Sequence, residues 1–174
     1  YLDVENLRLA PILQTMPGTP PVSALLSTAL ATDFSGGYPM VGGSIRLDSA
    51  RYDGKWVGNM ALSLDYRQLS SSLMEMDAFL DVDTMRALSL SARYDTDTLS
   101  ALPLDATVQI PAFPLSVANA FLPDDMARIE GVLRGNVSAS GHVDAPRLNG
   151  RLSIGNGKVD IPMIGASFRF SPAV

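Results

Sequence analysis

Cysteine is absent from the 174 residues, which excludes a disulfide framework, thiolate metal sites and a cysteine nucleophile. Histidine is almost absent. His142 stands alone in Gly-His-Val-Asp, with no second histidine or thiol to complete a zinc site or a triad. A single tryptophan and no convincing carboxylate pair leave a carbohydrate-cleaving enzyme without its working parts. No apolar run reaches the ~20 residues that a membrane-spanning helix requires, because Ser, Thr, Pro or Gly interrupts each one. Any anchor would therefore lie outside the chain. Positive charge is also sparse: 13 Lys and Arg against 18 Asp and Glu give a formal net charge of −5. The basic residues are scattered, so a nucleic-acid partner is not expected.

The chemistry-bearing residues that remain have structural explanations. Glu75, Asp77, Asp81 and Asp83 fall on one face of an alternating segment, where carboxylates could do acid–base work or hold Ca²⁺. The solvent face of a strand produces the same pattern. Gly155-Asn156-Gly157-Lys158 lacks the Ser or Thr of a phosphate loop, since Val159 stands in that place and no helix follows. It reads as a hairpin turn. Asp124-Asp125 reads as turn chemistry. No catalytic residue, metal site or cofactor is expected.

What the chain has in abundance is period-two alternation, from about Ile45 to Phe170, the mark of half-buried strands. Trp56, Met60, Leu62 and Leu64 share one face, as do Met74, Met76, Leu80 and Val82. Leu88 and Leu90 continue the pattern, then Leu104, Val108 and Ile110, then Leu133 and Val137, then Leu152 and Ile154, and last Phe168 and Phe170. Such strands suit an antiparallel sheet wetted on one side. Asp53-Gly54 and Asn156-Gly157 are expected as tight hairpin turns. Residues 11–22 and 36–43 read as loops, and 22–34 as a strand. One short helix is expected over 116–122, opened by Pro114 and closed by Pro123, plugging the sheet with Leu115, Ala118, Phe121 and Leu122. The expected fold is all-β: a curved, mostly antiparallel sheet forming an elongated apolar groove.

A repeat runs through this pattern. Residues 39–47, PMVGGSIRL, and 146–154, PRLNGRLSI, both fit Pro-x-apolar-x-Gly-x-apolar-x-apolar, with prolines 107 positions apart. Upstream, Leu26, Thr28 and Leu30 align with Leu133, Gly135 and Val137, so the repeat spans roughly 22–52 and 129–159. The chain opens on Tyr1 without an initiator methionine or signal pattern and ends on Pro-Ala-Val. Residues 1–174 are therefore expected to be a fragment of a longer repeat-built protein.

The segment 113–162, FPLSVANAFLPDDMARIEGVLRGNVSASGHVDAPRLNGRLSIGNGKVDIP, resembles the TamB family, a branch of the AsmA-like proteins of Gram-negative bacteria. The likeness lies in a short Pro-flanked helix ending in Phe-Leu-Pro, a Gly-x-Leu-x-Gly-x-Val strand, and Ala-Pro-Arg-Leu-x-Gly-x-Leu-x-Ile before Asn-Gly. The resemblance implies a periplasmic protein anchored in the inner membrane, whose sheet is folded lengthwise into an apolar trough of β-taco form. It implies work with a TamA-type outer-membrane barrel in a translocation and assembly module, and a part in outer-membrane biogenesis. The cargo would be phospholipid acyl chains moving between membranes. The alternative is a scaffold or chaperone whose edges pair with client strands during outer-membrane protein secretion and assembly. Free edges would also let two copies dimerise edge to edge. The methionines on the apolar faces, Met60, Met74 and Met76, suit either acyl chains or an ordinary core.

Overall fold

The structure is a computed structural model that describes residues 1–13, 21–97 and 103–170. Ten strands form a single open antiparallel sheet in chain order: β1 (Leu2–Arg8), β2 (Val22–Asp33), β3 (Met40–Tyr52), β4 (Lys55–Gln68), β5 (Leu73–Val82), β6 (Met85–Asp95), β7 (Leu104–Pro114), β8 (Arg128–His142), β9 (Ala145–Ile161) and β10 (Ala166–Phe170). Each strand pairs with its sequence neighbours, so every connection joins adjacent strand ends. The only other elements among the described residues are a helix α1 (Leu9–Leu13) and two 3₁₀ turns, η1 (Leu115–Phe121) and η2 (Pro162–Ile164).

Alternation explains the sheet, and left-handed residues explain its corners. Asp53 (φ 50°) and Gly54 (φ 74°) make the two-residue hairpin between β3 and β4. Asn156-Gly157 does something else. β9 runs through it without turning, and Asn156 (φ 52°) lies where the β8–β9 register shifts between Glu130 and Val132. The positive φ that Asn tolerates makes a β-bulge here instead of a reversal, because β8 offers a partner on both sides of the shift. The turn into β10 falls later, at η2.

Three other expectations need adjustment. Residues 11–13 are helical, as the end of α1, while most of the expected loop, 14–20, lies outside the described residues. The loop expected over 36–43 ends sooner, for β3 begins at Met40 and pairs with both β2 and β4 from there. The helix expected at 116–122 is the 3₁₀ turn 115–121, and its inward residues are Val117 and Ala120; Phe121 is more than half exposed.

The two repeat segments share one register. Leu30 pairs with Gly43, Thr28 with Ile45 and Leu26 with Leu47; 107 positions on, Val137 pairs with Gly150, Gly135 with Leu152 and Leu133 with Ile154. The likeness reaches further upstream than the sequence motif. β1 meets β2 through Leu2–Leu30, Val4–Thr28 and Leu7–Leu26, with a bulge between Val4 and Leu7. β7 meets β8 through Val108–Val137, Ile110–Gly135 and Phe113–Leu133, with a bulge between Ile110 and Phe113. A short helical turn follows the first strand in both, so the structural unit is strand, helical turn, strand, strand.

η1 shows that the sheet is curled. It joins β7 to β8, yet it packs against β3 and β4 as well as β8. Val117 and Ala120 enter a small cluster with Ala24, Ala50 and Val57, against Leu9, Leu47, Tyr52 and Met60. Strands four places apart in the order can share one short turn on their apolar side only if that side is concave.

Candidate apolar trough

The concave face is built from cross-strand rows, because paired residues of an antiparallel sheet project to the same side. One row runs Gly43, Leu64, Ala78, Leu90, Val108, Val137, Gly150 across seven strands, β3 to β9. Beside it lie Ile45, Leu62, Leu80 and Leu88, and then Leu47, Met60 and Val82. On the other flank run Val41, Tyr66, Met76, Ala92, Ala106, Ala139 and Leu148, followed by Met74, Tyr94, Leu104 and Gly141. Towards the far edge come Ile110, Gly135 and Leu152, then Phe113, Leu133 and Ile154. Phe168 faces Val159, and Phe170 faces Gly157. The bulge at Asn156 changes the parity of β9, which keeps Val159 on the same side as Ile154.

Trp56 alone among the expected groove residues leaves this face. The β3–β4 register shifts on both sides of Ala50, Ser49 takes φ 55° and Gly58 φ 132°, and the alternation slips by one residue. Val57 takes the inward place and is buried with Ala50, while Trp56 is 50% exposed, with the Arg51 guanidinium 5.3 Å from its ring centroid. Even spacing in the sequence gave no sign of the bulge. Tyr66, which alternates with Leu62 and Leu64, lies on the face as its spacing requires; Ile45, Leu47, Val41, Phe113 and Val159 belong to it as well, and alternation along their own strands was the signal that could have found them.

Nothing among the described residues covers the rows as a second layer would. The buried apolar residues are Ala24, Ala50, Val57, Ala78, Val82, Ala87 and Ala120, small side chains that cannot constitute a sealed core for ten strands. Leu62, Leu152, Ile154, Phe168 and Phe170 are 40–54% exposed. The other candidates except Val82 are half-buried. The trough is shallowest at β9 and β10 and most enclosed near η1, where two ties close one end. Asn119 clamps the main chain of Ile129, accepting from its N–H at 2.7 Å and donating to its carbonyl at 2.9 Å. Lys55 donates to the Leu122 carbonyl at 2.5 Å and pairs with Asp124 at 2.9 Å. The Tyr52 and Phe121 rings also meet there, tilted by 43° with centroids 4.8 Å apart.

No known family model, curated protein or solved structure matches the chain.

The convex face is polar and carries the acidic residues. Arg86 pairs with Asp81 at 2.5 Å, and Arg67 lies 3.7 Å from Asp77 and 3.9 Å from Glu75. Asp83 does not share their strand. It occupies the β5–β6 turn with φ 53° and accepts from the Asn59 N–H at 3.0 Å, holding β4 to that turn. Asp33 caps the loop before β3, and hydrogen bonds from the N–H and hydroxyl of Ser35 hold its carboxyl below its usual pKa. The Lys158 ammonium does the same for Asp160. His142 is exposed at the end of β8. Among the described residues, no three His, Cys, Asp or Glu side chains converge as metal ligands, and no helix is long and apolar enough to cross a membrane.

Proposed function

We propose that this sheet is a lipid-conducting segment of a TamB-like envelope protein, periplasmic in location, serving phospholipid transport and outer-membrane biogenesis with a TamA-type barrel partner. One observation carries the proposal: continuous apolar rows on a concave face that no second layer covers. An acyl chain laid along Leu64, Leu90, Val108 and Val137 would remove both surfaces from water, at about 0.8 kcal/mol per buried CH₂. The head group stays outside in solvent. Because neighbouring rows are chemically alike, a lipid shifted by one strand exchanges one set of Leu, Val and Met contacts for another, which keeps the barrier to movement low. No bond is made or broken, and no cofactor is needed.

The test is native mass spectrometry of the chain purified without detergent. Co-purified phospholipid, released by mild activation, is the expected result. Lipid-free protein that takes up no acyl chain from vesicles overturns the proposal. The second reading, a scaffold that pairs with client strands, draws on a different feature: Ala145–Gly155 of β9 pairs with β8 on one side, while β10 reaches only residues 157–161 on the other.

A further inference from the structure

The strap that crosses the apolar face, η1 with Pro123 and Asp124, is held unequally at its two sides. On the β8 side Pro114 pairs with Val132 where the strap begins, and Asn119 grips the main chain of Ile129 with two hydrogen bonds in a partly buried setting. The hold on β3 and β4 is lighter. Lys55 reaches the Leu122 carbonyl and Asp124, whose side chain is 82% exposed, and the Phe121 ring meets Tyr52 while more than half exposed. An ion pair so open to water contributes little and is screened by salt.

Beneath the strap the apolar face of the trough continues. Leu47 and Met60 are cross-strand partners in one of its rows, and both also pack against the buried cluster of Ala24, Ala50 and Val57 that Ala120 completes. The strap therefore sits where a row would otherwise run on toward the β3–β4 hairpin. Its inward side chains, Val117 and Ala120, are small, so the apolar area they hide is modest and their contacts are easily exchanged. An acyl chain laid against Ala50, Val57, Leu47 and Met60 would replace them with methylene groups of the same chemistry.

We propose that η1 is a hinged gate on the trough and that Lys55 is its latch. The strap pivots on β8 with Asn119 as the fixed point, lifts from β3 and β4 when Lys55 lets go of Leu122 and Asp124, and so lengthens the apolar rows to Ala50 and Val57. Its role toward lipid rests on the trough proposed above, whereas the movement itself does not.

Because the chain has no cysteine, single thiols can report on it without interference. Ala50→Cys places a thiol beneath the strap, and its rate of reaction with a maleimide measures opening. Ala87→Cys, fully buried outside that cluster, measures unfolding of the sheet. Adding Lys55→Met is expected to speed labelling of Ala50→Cys severalfold and to leave Ala87→Cys unchanged, and raised salt should speed Ala50→Cys only while Lys55 is present. For cargo, Lys55→Cys with Asp124→Cys is either bridged by a short bis-maleimide, which fastens the strap, or capped on each thiol separately. Mixed with phosphatidylcholine vesicles carrying a fluorescent acyl chain, the capped form should take up lipid severalfold faster than the bridged one. Labelling of Ala50→Cys that ignores Lys55→Met, an acceleration shared equally by Ala87→Cys, or equal uptake by bridged and capped chains would overturn the gate. Uptake by none of the bridged, capped and wild-type chains would instead overturn the trough and the lipid role together, while the labelling rates still decide whether the strap moves.

Discussion

A Cβ placed on Gly43 would lie 2.4 Å from the carbonyl oxygen of Ala29, and one on Gly150 2.4 Å from that of Asn136, closer than any side-chain carbon can approach. The glycine of the repeat is thus where β3 and β9 press against the strand before them, which lets the sheet bend at the same register in both copies. Gly43→Ala and Gly150→Ala are each expected to destabilise the chain by about 1–3 kcal/mol, since the obstructing atoms are backbone and cannot swing aside. Gly36→Ala, with no heavy atom within 4 Å, should stay within about 0.5 kcal/mol of wild type. Urea unfolding monitored by circular dichroism measures all three. A Gly150→Ala variant as stable as wild type would show that the close approach does not limit the fold. The motif announced these glycines because no other residue type fits the contact, whereas Trp56 carried no comparable signal. Its displacement to the convex side comes from a bulge formed jointly by Ser49, Ala50 and Gly58, and a bulge depends on what two strands do together.

Strands were legible as elements because burial of one face forces alternation on the sequence: the alternation expected at 74–82, 88–94 and 104–110 falls within β5, β6 and β7, whereas the strands expected on either side of Asn156-Gly157 are one strand, β9. The helical pieces were less legible. α1 and η1 are one or two turns long, too short for a 3.6-residue period to emerge, and η1 follows a 3₁₀ spacing that brings Val117 and Ala120, three residues apart, into the buried cluster. Asn156-Gly157 failed as a hairpin signal for a different reason. The dipeptide reports tolerance of positive φ, which a turn and a bulge use equally. Among these pieces η1 matters most, since it spans from β8 to β4 and holds the curl. Asn119→Ala removes both hydrogen bonds to Ile129 and leaves a partly buried N–H and carbonyl unanswered, a loss expected to be about 1–3 kcal/mol. Lys55→Met should cost less than 1 kcal/mol in ion pairing, because the Asp124 side chain is 82% exposed. Hydrogen exchange by mass spectrometry over 115–129 should show faster exchange in Asn119→Ala, with β5 and β6 unchanged. Uniform acceleration across the sheet would mean that η1 is part of the global unfolding unit and not a local tie.

At the scale of the whole sheet, the ten strands curl without closing, and no second layer among the described residues covers the apolar face. Leu90 and Val108 give the sharpest view of what that is, for they are direct cross-strand partners at the middle of the longest row, and both are half-buried. If the trough is open, Leu90→Asp or Val108→Asp leaves a carboxylate that water can reach while no lipid is present, so the sheet folds. An acyl chain crossing that row would have to strip the water away, at a cost of several kcal/mol. Ser91 and Gln109 lie on the convex side, exposed, where an added carboxylate meets solvent in either state. The expected outcome is that Leu90→Asp and Val108→Asp lower co-purified phospholipid severalfold and slow lipid uptake from vesicles, while Ser91→Asp and Gln109→Asp match wild type, all four with the same strand content. If a further layer seals the face instead, Leu90→Asp places a charge in a dry core and the protein loses its cooperative unfolding transition. If lipid binding persists in folded Leu90→Asp and Val108→Asp, acyl chains do not follow this row, and the edge of β9 that no described residue pairs with becomes the feature that calls for a partner.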